Sequence, residues 1–171
     1  MSEKLRLFFA LPVPEPLAAH IADWRQQLAC DGALVHPEDL HLTLVFLGSQ
    51  PAARLPELQA LTSQLRGEQA FELQLDQLGC WRGGLLHLAP SQPPTALLRL
   101  QRNLQDQLTQ AGFTREERGY RPHLSLARQA QAPTAGEAFQ FTWRVDSFAL
   151  FSSQFVTIGP RYRLIDTWPL H

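Results

Sequence analysis

The sequence is poor in the residues that several common chemistries need. Lysine occurs only once in 171 residues, at Lys4, so the chain offers little for a lysyl-nucleotide intermediate of the kind that ATP-dependent ligases form. The two cysteines, Cys30 and Cys80, are too few for a disulfide framework and lack metal-ligand spacing. There is no glycine-rich phosphate loop and no Gly-x-Ser-x-Gly elbow. ATP chemistry, a paired-cysteine zinc site and this type of serine hydrolase are therefore disfavoured.

An excess of one charge and long apolar runs are also missing. The net charge of -1 gives no overall attraction for a phosphate backbone, so a nucleic acid would be held by its end or at a small site. The apolar run near the amino terminus stops at Pro12, which is too short for a secretion signal, and no run approaches membrane-spanning length. We therefore expect a cytoplasmic protein with reduced cysteines and no membrane segment.

The apolar pattern predicts strands and helices mixed along the chain, which is typical of the α+β class. The predicted strands are 5–11, 40–47, 71–76, 85–88, 122–128, 139–151 and 155–165. The predicted helices are 15–28, 55–65 and a third that begins at 93–94 and stops near Gly112. Parts of this order suggest two α+β halves. Because no linker separates them and 44% of the residues are apolar, we expect one domain over residues 1–171, and a monomer.

Two of the predicted strands carry the same short pattern of a histidine, an apolar residue and a hydroxyl residue. The first copy is 41–43 (His-Leu-Thr) and the second is 123–125 (His-Leu-Ser). Side chains alternate along a strand, so each histidine shares a face with its hydroxyl residue while the leucine faces the core. Two such strands brought together would form a site with two imidazoles and two hydroxyls.

Paired imidazoles suit an in-line displacement at phosphorus, because a neutral ring can remove one proton while a protonated ring delivers another. Thr43 and Ser125 would donate hydrogen bonds to the charge that develops on the phosphoryl oxygens. Arg121 and Arg128 flank the second motif, and either guanidinium could bind phosphate. The spacing of the two motifs does not say which histidine is the acid.

Other interpretations of the histidines stay open at this point. His41 and His123 could ligate a metal, although neither strand carries an Asp or Glu on the same face as its histidine. His36 lies in a proline-containing loop beside the first motif and is a further candidate for the site. The remaining histidines have no comparable pattern around them and are interpreted as ordinary helix, strand and tail residues: His20, His87 and His171.

The paired motifs resemble those of the two-histidine (2H) phosphoesterase superfamily, and most closely those of its RNA 2′,3′-cyclic phosphodiesterases, also called 2′-5′ RNA ligases. The resemblance covers nearly the whole chain, from the opening 6–12 through both motifs to the closing pattern over 151–168. One departure is Ser125, where the family more often has threonine. The hydroxyl is kept there and a methyl group is lost, so only packing is affected.

The resemblance implies a two-lobed α+β fold with pseudo-twofold symmetry, in which two antiparallel sheets face each other across a central cleft and the helices lie outside. It also implies hydrolysis of a terminal RNA 2′,3′-cyclic phosphate to a 2′-phosphate, with no metal or cofactor. In that reaction His41 would be the proton donor and His123 the proton acceptor.

The partner implied by the resemblance is RNA with a 2′,3′-cyclic phosphate end, such as a tRNA fragment or a short oligonucleotide. The same two histidines could support reversible, ATP-independent 2′-5′ ligation if an RNA 5′-hydroxyl replaced water. Two alternatives remain: a catalytically idle module that binds RNA ends, and a metal-dependent phosphodiesterase.

Overall fold

The structure is a computed structural model that describes residues 3–113, 117–133, 139–156 and 159–171. Within these residues the chain forms three α-helices and ten β-strands, and the α+β class is confirmed. The helices are α1 (Glu15–Gln26), α2 (Leu55–Thr62) and α3 (Thr95–Gln110). The strands are β1 (Lys4–Pro12), β2 (Ala33–Leu34), β3 (His41–Pro51), β4 (Phe71–Leu75), β5 (Gln77–Trp81), β6 (Leu85–Ala89), β7 (Leu124–Arg128), β8 (Phe141–Val145), β9 (Ser147–Val156) and β10 (Gly159–Pro169). None of the described helices is long and apolar enough to cross a membrane.

The described strands form two antiparallel sheets. The larger sheet has the order β10-β9-β1-β3-β7-β6-β5, with β2 paired to the far end of β7, and the smaller one consists of β4 and β8. The two histidine motifs therefore lie on neighbouring strands of one sheet. The contact between β3 and β7 is short: in the described part of the chain, Leu42 and Leu124 are the one pair of direct partners between them.

Buried leucines explain why α3 packs where it does. They recur every three or four residues along the helix and so form one apolar face, which is the usual pattern of a helix that covers a sheet. These residues are Leu97, Leu100, Leu104 and Leu108, and all are fully buried. On β1, five consecutive residues from Leu7 to Leu11 are buried, as expected for a strand covered on both faces.

A buried arginine fastens α1 to the second histidine strand. The Nη1 atom of Arg25 donates to the backbone oxygens of Val35 at 2.7 Å and of Leu126 at 2.9 Å. Burial lowers the pKa of Arg25. The guanidinium therefore joins α1, the segment next to β2 and β7 through two backbone carbonyl groups.

The strand predicted over 139–151 is two strands that belong to different sheets. In β8 every second residue is buried, whereas β9 contains three consecutive buried residues from Phe148 to Leu150. Asp146 stands between these two patterns, where the chain leaves the small sheet and enters the large one. The strand predicted over 155–165 corresponds to the end of β9 and most of β10, and residues 157 and 158 within it lie outside the described residues.

The small sheet reveals an internal repeat. β4 and β8 share the pattern Phe-x-apolar-x-apolar and are each followed by an aspartate, Asp76 or Asp146, and then by a strand of the large sheet. The two equivalent strands pair with each other, and their central residues, Leu73 and Trp143, are direct partners. Antiparallel pairing of two equivalent strands agrees with the expected twofold relation between the two halves.

Candidate active site

The site is built on the single backbone pair that joins β3 to β7. Leu42 and Leu124 are direct partners and both are fully buried. Because side chains alternate along a strand, the residues on either side of each leucine point to the opposite, accessible face of the sheet. All four of these flanking residues are half-buried, as this placement requires.

The pairing brings each histidine next to the hydroxyl residue of the other motif. Residues of antiparallel neighbours pair in opposite directions, so His41 lies across from Ser125 and Thr43 lies across from His123. His123 immediately precedes β7, which begins at residue 124 and not at 122 as predicted. The four residues that the sequence singled out are thus brought together on one face.

The two imidazoles are held in the same way. The Nδ1 atom of His41 lies 2.6 Å from the backbone oxygen of Asp39, and that of His123 lies 2.7 Å from the backbone oxygen of Arg121. A carbonyl oxygen can only accept, so Nδ1 carries the proton in both rings and Nε2 is the nitrogen for proton transfer. The Nε2 atom of His41 is 3.1 Å from the hydroxyl of Thr43.

Aromatic rings surround His41 on its side of the site. The ring centre of Phe8 lies 5.0 Å away, that of Phe151 lies 6.5 Å away, and Tyr162 presents its ring at 5.0 Å in an edge arrangement. The Nη2 atom of Arg128 is 3.5 Å from the Tyr162 hydroxyl. The predicted phosphate-binding residue Arg128 therefore lies beside the first histidine, although it belongs to the strand of the second.

This environment disfavours a charged imidazole at His41. Burial lowers the pKa of His41 to about 4, and the positive charges of Arg128 and His123 lower it as well. The carbonyl and carboxylate of Asp39 raise the pKa of His41, but by less than burial lowers it. The lowered pKa favours the neutral form of His41 at pH 7, and an anion bound nearby would favour its protonated form.

An ion pair fixes the turn that orients His41. The buried carboxylate of Asp39 accepts from Nε of Arg161 at 2.7 Å, and Glu38 accepts from Nη2 of the same guanidinium at 3.1 Å. Arg161 is in β10, so the edge of the sheet holds the carbonyl that bonds His41. The other candidate of this turn, His36, accepts from the backbone nitrogen of Glu38 at 3.1 Å and so caps the turn. No local sequence pattern connects residues 39 and 161.

On the other side of the site, His123 packs against Trp81 and a third histidine. The ring centre of Trp81 lies 4.5 Å from that of His123 and 4.1 Å from that of His87, and the two histidine rings are 5.7 Å apart. The Arg121 guanidinium lies 5.9 Å from the Trp81 ring centre. Arg121, the second predicted phosphate-binding residue, is thus next to His123.

His87 was interpreted from the sequence as an ordinary strand residue, and the structure corrects this. Its side chain is buried, its Nδ1 donates to the Leu85 backbone oxygen at 3.1 Å, and it is the direct β6 partner of Ser125 in β7. Burial lowers the pKa of His87. Space for the ring comes from Gly79 on β5, since a Cβ atom there would lie 2.9 Å from Nε2 of His87. Only the pairing of β5, β6 and β7 reveals this cluster.

The described residues contain no group of three His, Cys, Asp or Glu side chains arranged to hold a metal ion. What the site offers is two imidazoles, two hydroxyls and two flanking guanidiniums. This is an arrangement of proton donors and acceptors around a space suited to a phosphate group.

The chain is similar to known proteins of one family. The chain matches the family model of the 2'-5' RNA ligase superfamily over residues 13–156. It is 34% identical over 177 residues to the RNA 2',3'-cyclic phosphodiesterase of Escherichia coli K12, with 99% of each chain covered, and 31% identical over 174 residues to that of Bacillus subtilis, with 92% of each covered. The fold superposes on the crystal structure of E. coli LigT complexed with 3'-AMP with a TM-score of 0.88 and 32% identity, covering 98% of this chain and 99% of that one.

The contact between Gly79 and His87 generates a prediction about stability. Gly79→Ala forces the His87 ring to move, and such overpacking costs about 1–3 kcal/mol of the free energy of unfolding. In a His87→Ala background the added methyl group meets no ring, so the same change should cost almost nothing. Urea unfolding of the four proteins of this double-mutant cycle measures the difference. Equal costs in both backgrounds would show that Gly79 does not make room for His87.

Proposed function

Because this chain belongs to the 2'-5' RNA ligase superfamily, we propose that it hydrolyses the terminal 2′,3′-cyclic phosphate of RNA to a 2′-phosphate. The observation that carries the proposal is the pairing of Leu42 with Leu124, which puts both histidines and both hydroxyls on one face. The names of the full-length relatives support the substrate class. We also propose that the chain acts as a monomer, on tRNA fragments or short oligonucleotides.

In the proposed reaction His123 is the base and His41 is the acid. His123 takes a proton from water as the water oxygen forms a bond to phosphorus, and His41 gives its Nε2 proton to the 3′ oxygen as the bond from phosphorus to that oxygen breaks. The phosphate stays on the 2′ oxygen. The two rings end with exchanged protonation states, which solvent restores. Each positioned proton transfer typically contributes about 10²- to 10⁴-fold to the rate.

The hydroxyls and guanidiniums stabilise the charge on phosphorus. Thr43 and Ser125 donate hydrogen bonds to the non-bridging oxygens, where negative charge accumulates in the transition state. Arg128, beside His41, and Arg121, beside His123, attract the same charge from opposite ends of the site. The imidazoles supply both proton transfers, so the proposed reaction needs neither a metal ion nor a cofactor.

The negative charge of the substrate favours the protonated form of His41, which is the form that can act as an acid. A cyclic phosphodiester is an anion, and its position between the rings opposes the burial and the positive charges that lower the pKa of His41. Protonation of His41 is thereby coupled to substrate binding. His41 is then neutral without substrate and protonated when the substrate is bound.

An RNA 5′-hydroxyl can replace water in the same reaction. The attacking oxygen then forms a 2′-5′ linkage, and the energy comes from opening the strained cyclic phosphate, so no ATP is needed. Because the step is reversible, the same residues would cleave a 2′-5′ linkage. Hydrolysis should dominate in solution, since water is abundant.

The mechanism predicts that each histidine is essential. His41→Ala or His123→Ala should lower turnover of an RNA ending in a 2′,3′-cyclic phosphate by at least about 10²-fold. Thr43→Ala and Ser125→Ala should cost less, because each removes one hydrogen-bond donor and leaves both proton transfers in place. The exposed His171 provides a matched control, and His171→Ala should keep wild-type turnover. Near wild-type rates in either catalytic variant would contradict the mechanism.

The coupling of charge and binding predicts a measurable pKa change. Without a bound anion, His41 should stay neutral as the pH falls to about 4, which is its lowered pKa. A bound anion should raise the pKa of His41 by about one to three units. Proton uptake on binding means that the anion binds more tightly as the pH falls from 7 towards 4. Sulfate is a suitable probe, because its own charge is constant over this range. An NMR titration of the imidazole nitrogens with and without sulfate measures both values. An ordinary His41 pKa in the empty protein, or no rise with sulfate, would contradict the coupling.

A further inference from the structure

A large cleft opens beside the site on the side of His123. Its volume is ≈ 1280 Å³, which exceeds the roughly 300–1,000 Å³ of pockets for single small molecules. The walls come from β3, from one side of α3 and from residues 117–121. Among the described residues, four arginines and one glutamate line it: Arg82, Arg102, Arg118, Arg121 and Glu117.

This charge distribution contrasts with that of the whole chain. The protein carries a net charge of -1, whereas the cleft gathers four guanidiniums against one carboxylate. Guanidiniums bind phosphates well, because their planar donors match two phosphate oxygens at once. Several of them in one cleft are suited to a chain of phosphates, more than to one phosphate.

Aromatic groups lie among these arginines. Trp81 is half-buried in the wall next to His123, and Phe46 is 46% exposed, an unusual state for a large apolar side chain. Tyr120 fixes residues 117–121 to β3, since its hydroxyl donates to the backbone oxygen of Thr43 at 2.8 Å. Cationic side chains together with aromatic rings are the features with which proteins bind single-stranded nucleic acid.

The position of the cleft relative to the two histidines indicates which of the two RNA strands it binds. His123 and Thr43 line the cleft, whereas His41 faces the aromatic group of Phe8, Phe151 and Tyr162. In an in-line displacement the attacking and leaving oxygens lie on opposite sides of phosphorus. The 3′ oxygen that leaves phosphorus is part of the ribose, which stays bonded to phosphorus through its 2′ oxygen, so the ribose belongs on the side of the acid. The cleft beside the base therefore lies on the side of the attacking oxygen.

We propose that this arginine-lined cleft binds an RNA strand whose 5′-hydroxyl attacks the cyclic phosphate. The inference depends on the function proposed above, with His123 as the base. His123 takes the proton of the 5′-hydroxyl, the 5′ oxygen bonds to phosphorus, the bond to the 3′ oxygen breaks, and His41 protonates that oxygen. The first internal phosphates of the attacking strand then lie along the arginines. The same cleft holds the departing strand when a 2′-5′ linkage is cleaved.

The test compares ligation with hydrolysis of one donor RNA. A strand ending in a 2′,3′-cyclic phosphate is incubated with excess 5′-hydroxyl hexanucleotide whose 3′ end is blocked, and the ratio of 2′-5′-ligated to hydrolysed product is measured. In Arg102→Ala/Arg118→Ala this ratio should fall by about tenfold, since two phosphate contacts of the attacking strand are lost. The slope of the logarithm of this product ratio against the logarithm of the salt concentration should become less steep by about 1.4. Arg99→Ala/Arg163→Ala removes the same charge from exposed positions outside the cleft and should leave the ratio unchanged.

Three outcomes would overturn the proposal. If ligation and hydrolysis fall together, the ratio stays constant and the cleft holds the cyclic-phosphate strand instead. If the control variant lowers the ratio equally, the effect is one of overall charge. If the wild-type protein forms no ligated product, fluorescence anisotropy with the same hexanucleotide decides. Binding that the cleft variant weakens supports the proposal, and no binding overturns it. Failure of the proposed function would appear separately, as a wild-type protein that does not hydrolyse the donor.

Discussion

The pairing of one buried leucine from each histidine motif is the contact on which the site depends. Leu42 and Leu124 join the two parts of the large sheet at one backbone pair, and their burial sends both motifs to the same accessible face. Everything else at the site refines this placement. Carbonyl groups two residues before His41 and His123 set the tautomer of each ring, and an ion pair from β10 fixes the first of these carbonyls.

Electrostatics gives the two sides of the site different characters. His41 is surrounded by aromatic rings and carries a lowered pKa, whereas His123 borders a cleft that is rich in arginine. A phosphodiester between the rings would offset the cost of charging His41, so the site would be complete only when its anionic substrate is present. The same asymmetry separates the side of the leaving oxygen from the side of the attacking oxygen in the proposed reaction.

The α+β class and the shared face of the two motifs were predictable, because strand alternation and local apolar patterns carry that information. Contacts between distant segments of the chain were not predictable from the sequence. The ion pair of Asp39 with Arg161 and the edge-on contact of His87 with His123 depend on strand order, which no local pattern encodes. The division of 139–151 into two strands was missed because no glycine or proline stands between the two parts. The repeated Phe-x-apolar-x-apolar-Asp pattern, which is visible in the sequence, could have revealed it.

The central claim is that two imidazoles open a cyclic phosphate without help from a metal. The most direct measurement incubates the protein with an RNA oligonucleotide ending in a 2′,3′-cyclic phosphate in excess EDTA and identifies the product. The account predicts turnover to a 2′-phosphate under these conditions. Turnover that is absent in EDTA and restored by added metal would contradict the account in favour of a metal-dependent phosphodiesterase. Tight binding with no turnover under either condition would contradict it in favour of a module that binds RNA ends.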